Sequence, residues 1–95
     1  MTTAYEIASH IRSRHKFSGE IQMHKLLYYA QAWSLAWDGV PLFDDRIEAW
    51  KNGPVVPSLR HTTVMADEDV RLTDQQKANI DAVLAHYADN SGTAL

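Results

Sequence analysis

Five histidines, His10, His15, His24, His61 and His86, are the first side chains able to do chemistry. A zinc site built on a helix needs imidazoles paired at i and i+4, and no two of these residues have that spacing on one predicted helix, nor a zinc-protease carboxylate beside them. Asp67-Glu68-Asp69 lacks the glycine and the distal glutamate of a calcium loop and reads as a solvated acidic turn. Asp44-Asp45 are adjacent on a stretch that reads as extended. Their side chains then point to opposite sides, so they cannot share a substrate as an acid/base pair; forming or capping a turn suits them better. The serines and threonines fall at helix caps and loops, none inside a G-x-S-x-G elbow. The single Gly-Pro turn is no phosphate cradle. With no cysteine, thiolate nucleophiles, disulfides and Cys-ligated zinc are out of reach. The reading is a non-enzyme with no catalytic residue, no metal and no cofactor.

A chain of 95 residues, 45% hydrophobic and 22% charged, holds one small domain, spanning 1–95. Three Trp, four Tyr and two Phe supply much apolar area from few residues, as suits a small domain or one that finishes its core against a partner. No apolar run reaches the ~18 residues of a membrane span, and the N-terminus lacks a signal-peptide layout, so a soluble, cytoplasmic protein with no membrane partner is expected. A net charge of -3 argues against nucleic acid as a partner. Arg12-Ser13-Arg14-His15-Lys16 reads as a solvated helix end whose cations complement the helix dipole.

These side chains must be positioned by helices and one extended insertion. Thr3 and Glu6 form a capping box ahead of Ala4, Ile7, Ala8 and Ile11, a first helix of about three turns. Ser18 is the candidate N-cap of a second helix running to about Asp38, where Gly39 and Pro41 stop it. On this helix Met23, Leu26, Tyr29, Ala30, Trp33, Ala36 and Trp37 share a broad apolar arc, with His24, Gln31, Ser34 and Asp38 opposite. It reads as the hub, onto which residues 40–43 fold back. Residues 46–50 alternate as a brief strand, and Pro57-Ser58-Leu59 start a short helix to about Val64, with Ser58 able to cap it. Thr73 and Gln76 form a second capping box before Ile80, Val83, Leu84, Tyr87 and Ala88, a helix ended by residues 90–93. The fold class is mainly α: a domain of about four helices with a short extended or β insertion between the second and third.

The insertion is the most suggestive stretch. Asn52-Gly53 tolerates positive φ, while Pro54 and Pro57 keep the preceding residues extended, so Trp50, Lys51, Asn52, Pro54, Val55, Val56 and Pro57 form a rigid turn presenting apolar side chains. The alternative is a connector whose valines and tryptophan cap the core. Tyr28 and Gln31 on the neighbouring helix join the turn as candidate partner-binding residues, because Trp and Tyr are favoured anchors of protein interfaces.

The string Lys25-Leu26-Leu27-Tyr28-Tyr29-Ala30-Gln31-Ala32-Trp33, followed by Leu35-Ala36, Gly39, Pro41-Leu42-Phe43 and Ile47-Glu48-Ala49-Trp50-Lys51-Asn52-Gly53-Pro54-Val55-Val56-Pro57, resembles the Panacea antitoxin domain. This phage-associated family occurs in toxin–antitoxin operons of bacteria and prophages, and the similarity spans most of residues 4–90. It implies a mostly helical antitoxin that binds and neutralises a cognate protein toxin encoded beside it. One related member acts as a protease adaptor, so delivery to an ATP-dependent protease is an alternative to occlusion, and an operator-binding autoregulator is another. Family members continue past the final helix through a Ser-x-x-x-Leu pattern. Ser91-Gly92-Thr93-Ala94-Leu95 enters that pattern and stops, so the family's C-terminal segment is expected to be lacking. Nothing in the residues sets an oligomeric state.

Overall fold

The computed structural model describes residues 2–17, 19–67 and 70–87. Thr3 sits in the β region. Its hydroxyl accepts the Glu6 N–H at 3.2 Å, while its own N–H donates to Glu6 Oε1 at 2.9 Å, so the expected capping box starts α1, Ala4–Arg14. Ala4, Ile7, Ala8 and Ile11 are wholly buried, a narrow stripe matching the 3.6-residue period. Asp45 reinforces this start from a distance in sequence: one carboxylate oxygen accepts the Ala4 N–H at 2.8 Å and the other accepts the Ser58 hydroxyl. Partial burial opposes ionisation of Asp45, but the bonds from Ser58 and from backbone N–H groups outweigh it and hold the carboxyl below its ordinary range. A carboxyl depressed on folding adds stability above its unfolded pKa and loses it as pH falls through the folded value. Asp45→Asn is therefore expected to lower stability by about 1 kcal/mol at neutral pH. It should also flatten the fall in melting temperature below about pH 4, and parallel acid titrations of the two melts will show whether that slope belongs to Asp45.

The hub is α2, Glu20–Asp38, against which α1, the last helix and one strand of the extended insertion pack. Gly19 occupies its N-cap without a side-chain bond, and the expected cap Ser18 lies outside the described residues. Gly39 ends it in the left-handed region at φ 71, its N–H returning to the Leu35 carbonyl. Met23, Leu26, Leu27 and Ala30 are buried as a core face. The opposite polar arc is not a solvent face. Gln31 Oε1 accepts the N–H groups of Leu42 and Phe43 at 2.6 and 3.2 Å, and its Nε2 donates to the Phe43 carbonyl at 3.0 Å. The Ser34 hydroxyl donates to the Val40 carbonyl at 2.8 Å. The arc satisfies the backbone of the returning segment, which lets Leu42 and Phe43 enter the core.

Beyond that segment, β1, Glu48–Trp50, pairs antiparallel with β2, Gly53–Val55, as a two-stranded ribbon. The helix expected over residues 57–64 is a single 3-10 turn, Pro57–Leu59. Arg60 is already extended, and the β-branched Thr62, Thr63 and Val64 do not favour resuming a helix. The expected cap Ser58 bonds Asp45 instead, and Val56 holds the N-cap position without a side-chain bond. The last element is α3, Asp74–Tyr87, opened by the Thr73–Gln76 capping box. Its Ile80 and Val83 are buried, Tyr87 stacks on Tyr29 of α2 at 4.3 Å, and Asn79 Nδ2 donates to Asp38 Oδ2 at 2.7 Å. The fold is thus mainly helical, with three α-helices among the described residues where about four were expected. The expected helix stop at 90–93, most of the acidic turn at 67–69 and the entry into a C-terminal segment at 91–95 lie outside the described residues.

Candidate functional site

The ribbon reverses direction at Lys51-Asn52, with Glu48 opposite Val55, Ala49 opposite Pro54 and Trp50 opposite Gly53. Positive φ is carried by Gly53 at 123°, not by Asn52. A Cβ added at Gly53 would also stand 3.2 Å from Lys25 Cε on α2. Gly53→Ala is expected to cost about 1–2 kcal/mol, from the strained φ together with the close approach. A chemical melt resolves this: a cost near zero would mean that the ribbon re-forms its turn.

One buried bond fastens the ribbon to the hub. The Val56 N–H donates to His24 Nδ1 at 3.0 Å, and His24 Nε2 lies 3.2 Å from Glu20 Oε1. An acceptor at Nδ1 puts the ring proton on Nε2, which donates to the carboxylate. Hydrogen bonding to His24 is the main reason that the Glu20 carboxyl is held below its ordinary range; desolvation opposes it, and the His61 N–H, at 3.4 Å, adds to the lowering. This His–Glu pair has the look of a catalytic dyad, yet both ring nitrogens are engaged and the side chain is 4% exposed. It holds structure and has no nitrogen left to take a substrate proton.

Outside this anchor the ribbon presents an apolar surface. Trp50 is 40% exposed, Ile21 42% and Tyr28 44%. Ile21, Trp50, Pro54 and Val55 wall a cleft of ≈ 220 Å³, with Lys51, Asn52 and Arg60 around it and Glu20 and His24 also in its lining. On the ribbon's other side Tyr28, Ile47 and Ala49 line a second groove that shares Trp50 and Pro54. The Trp50 ring is held from two directions. Its Nε1–H donates to Glu48 Oε1 at 2.9 Å, and the Arg60 guanidinium lies 4.3 Å from its ring centroid. An exposed tryptophan already fixed in one rotamer loses little entropy on binding.

Of the residues singled out in the sequence, Trp50, Lys51, Asn52, Pro54, Val55 and Tyr28 come together around the ribbon. Three do not join that surface. Val56 is wholly buried, Gln31 is spent on Leu42 and Phe43, and Pro57 opens the 3-10 turn. Ile21 and Arg60 were missed. Ile21 stands seven residues before Tyr28 and so on the same helical face, a signal that was legible, whereas the stacking of Arg60 on Trp50 depends on the sharp end of the 3-10 turn. Among the described residues no three His, Asp or Glu side chains are grouped to hold a metal, and no helix is long and apolar enough to cross a membrane. What this geometry offers is recognition of another molecule by a rigid, partly apolar surface.

Comparison with known proteins agrees with a recognition role. Residues 23–95 match a family model described as Antitoxin SocA-like, Panacea domain, a span that includes the hub helix from Met23, the ribbon and α3. No curated protein and no solved structure matches the chain.

Proposed function

The chain belongs to the SocA-like antitoxin family of the Panacea domain, and from that membership we propose that it neutralises a protein toxin by binding it directly through the ribbon surface. The observation that carries this reading is Trp50: a large aromatic exposed at the centre of two adjoining apolar grooves and held there by Glu48 and Arg60. Interface energy concentrates in such residues. Occlusion follows if the toxin's working surface is what the ribbon covers, and it requires no catalysis by this chain.

The test is co-expression with the product of the neighbouring gene, followed by binding of the purified pair. Trp50→Ala is expected to weaken binding by about thirtyfold, as for an interface hot spot of about 2 kcal/mol, and to abolish rescue of growth. Its circular dichroism should be unchanged, because the ring lies outside the core. Undiminished neutralisation by this variant would remove the ribbon from the interface. Neutralisation that occurs only when an ATP-dependent protease is present would replace occlusion by delivery for degradation.

A further inference from the structure

The cleft on the Ile21 side of the ribbon has a charge pattern that bare occlusion does not require. From it we infer that the partner contributes an acidic peptide segment, with one apolar side chain seated between Ile21 and Trp50 and an adjacent carboxylate bound by Arg60 and Lys51. This rests on reading the ribbon as the partner-binding surface. The chain as a whole carries a net charge of -3, yet the described lining of this cleft holds two cations and one carboxylate. Neither Lys51 nor Arg60 has an ion-pair partner among the described residues. The carboxylate, Glu20, already accepts from His24 and from the His61 N–H.

Arg60 is suited to the task. A guanidinium over an indole face has its in-plane N–H groups at the periphery, where a carboxylate can take two of them. Lys51, at the ribbon's reversal, adds an exposed positive charge. The apolar half of the contact is set by Ile21 and Trp50, both more than a third exposed, with Pro54 and Val55 beside them. Two cations are too few for strong phosphate-backbone binding by an acidic domain, which favours a peptide over nucleic acid as the occupant.

Selection of displayed random peptides on the immobilised full chain tests this. Recovered sequences should carry Asp or Glu beside Leu, Ile or Phe. A synthetic peptide made from them should bind the Lys51→Glu/Arg60→Glu variant about tenfold or more weakly. The same peptide should bind the Arg71→Glu control normally, since Arg71 lines a different groove. Circular dichroism on each variant confirms folding. Recovery of basic or uncharged sequences, equal binding by the double variant, displacement of the peptide by a single-stranded oligonucleotide, or self-association that the double variant abolishes would each overturn the inference. The antitoxin reading is separable: if the double variant still neutralises the toxin while Trp50→Ala does not, the acidic-peptide inference fails and the ribbon interface stands. If neither substitution matters, the ribbon interface fails as well.

Discussion

Val56→Asp is expected to unfold this domain, whereas Val55→Asp, one position earlier, should leave it folded and unable to neutralise a toxin. Val56 has no solvent exposure, and its N–H is bonded to the buried His24 ring. An aspartate there would put a carboxylate among apolar neighbours, at a cost of several kcal/mol that is comparable to the whole stability of a small domain, about 5 kcal/mol. Val55 is only half-buried, lies opposite Glu48 in the ribbon and faces the cleft, so a carboxylate at that position reaches water. It would place negative charge where the partner is proposed to dock. Far-UV circular dichroism and thermal melts separate the two: loss of helical signal and of a cooperative transition for Val56→Asp, and a retained transition lowered by a few degrees for Val55→Asp. A folded Val56→Asp protein would contradict the burial of this residue, and an unfolded Val55→Asp protein would make the ribbon core instead of interface.

The contrast between these valines shows how far local rules reach. Successive residues of an extended chain point to opposite sides. The rule separates Asp44 from Asp45 in the sequence, and it also separates Val55 from Val56. Reading both valines as surface overlooked it. Features carried by near neighbours were legible: the Thr3–Glu6 and Thr73–Gln76 capping boxes, the Gly39 stop and the apolar stripe of α1 all depend on residues within a turn or two of each other. The polar arc of α2 was not legible as structure, because its partners arrive from afar. Gln31 meets Leu42 and Phe43 only after the chain has turned at Gly39, and His24 meets Val56 across 32 positions of sequence. Helical periodicity can say that these side chains share a face; it cannot say that a returning backbone needs them there. The candidate site divided along the same line. Trp50 and Tyr28 lie at the surface, while Gln31 and Val56 belong to the scaffold that holds the ribbon up.

That scaffold makes His24 the residue whose replacement should couple stability to ribbon order. Removing the ring leaves the buried Val56 N–H unpaired, worth about 1–3 kcal/mol, and opens a cavity, so His24→Ala is expected to cost about 3–4 kcal/mol in all. Two further variants separate the causes. Asparagine can place its carbonyl oxygen near the position of Nδ1, keeping an acceptor for Val56 while losing the contact with Glu20. Glutamine extends toward the position of Nε2, keeping a donor for Glu20 while orphaning Val56. If the ribbon hangs on the Val56 bond, His24→Asn should be the more stable of the two by about 1 kcal/mol. Hydrogen exchange at the Val56 amide should then be accelerated far more in His24→Gln than in His24→Asn. The reverse order would transfer the anchoring role to the Glu20 contact, which also receives the His61 N–H and so ties the 3-10 turn to the same helix. In either case the ribbon owes its fixed position to polar side chains on the hub, because a two-stranded ribbon with three residues in each strand is too short to hold its own geometry in water.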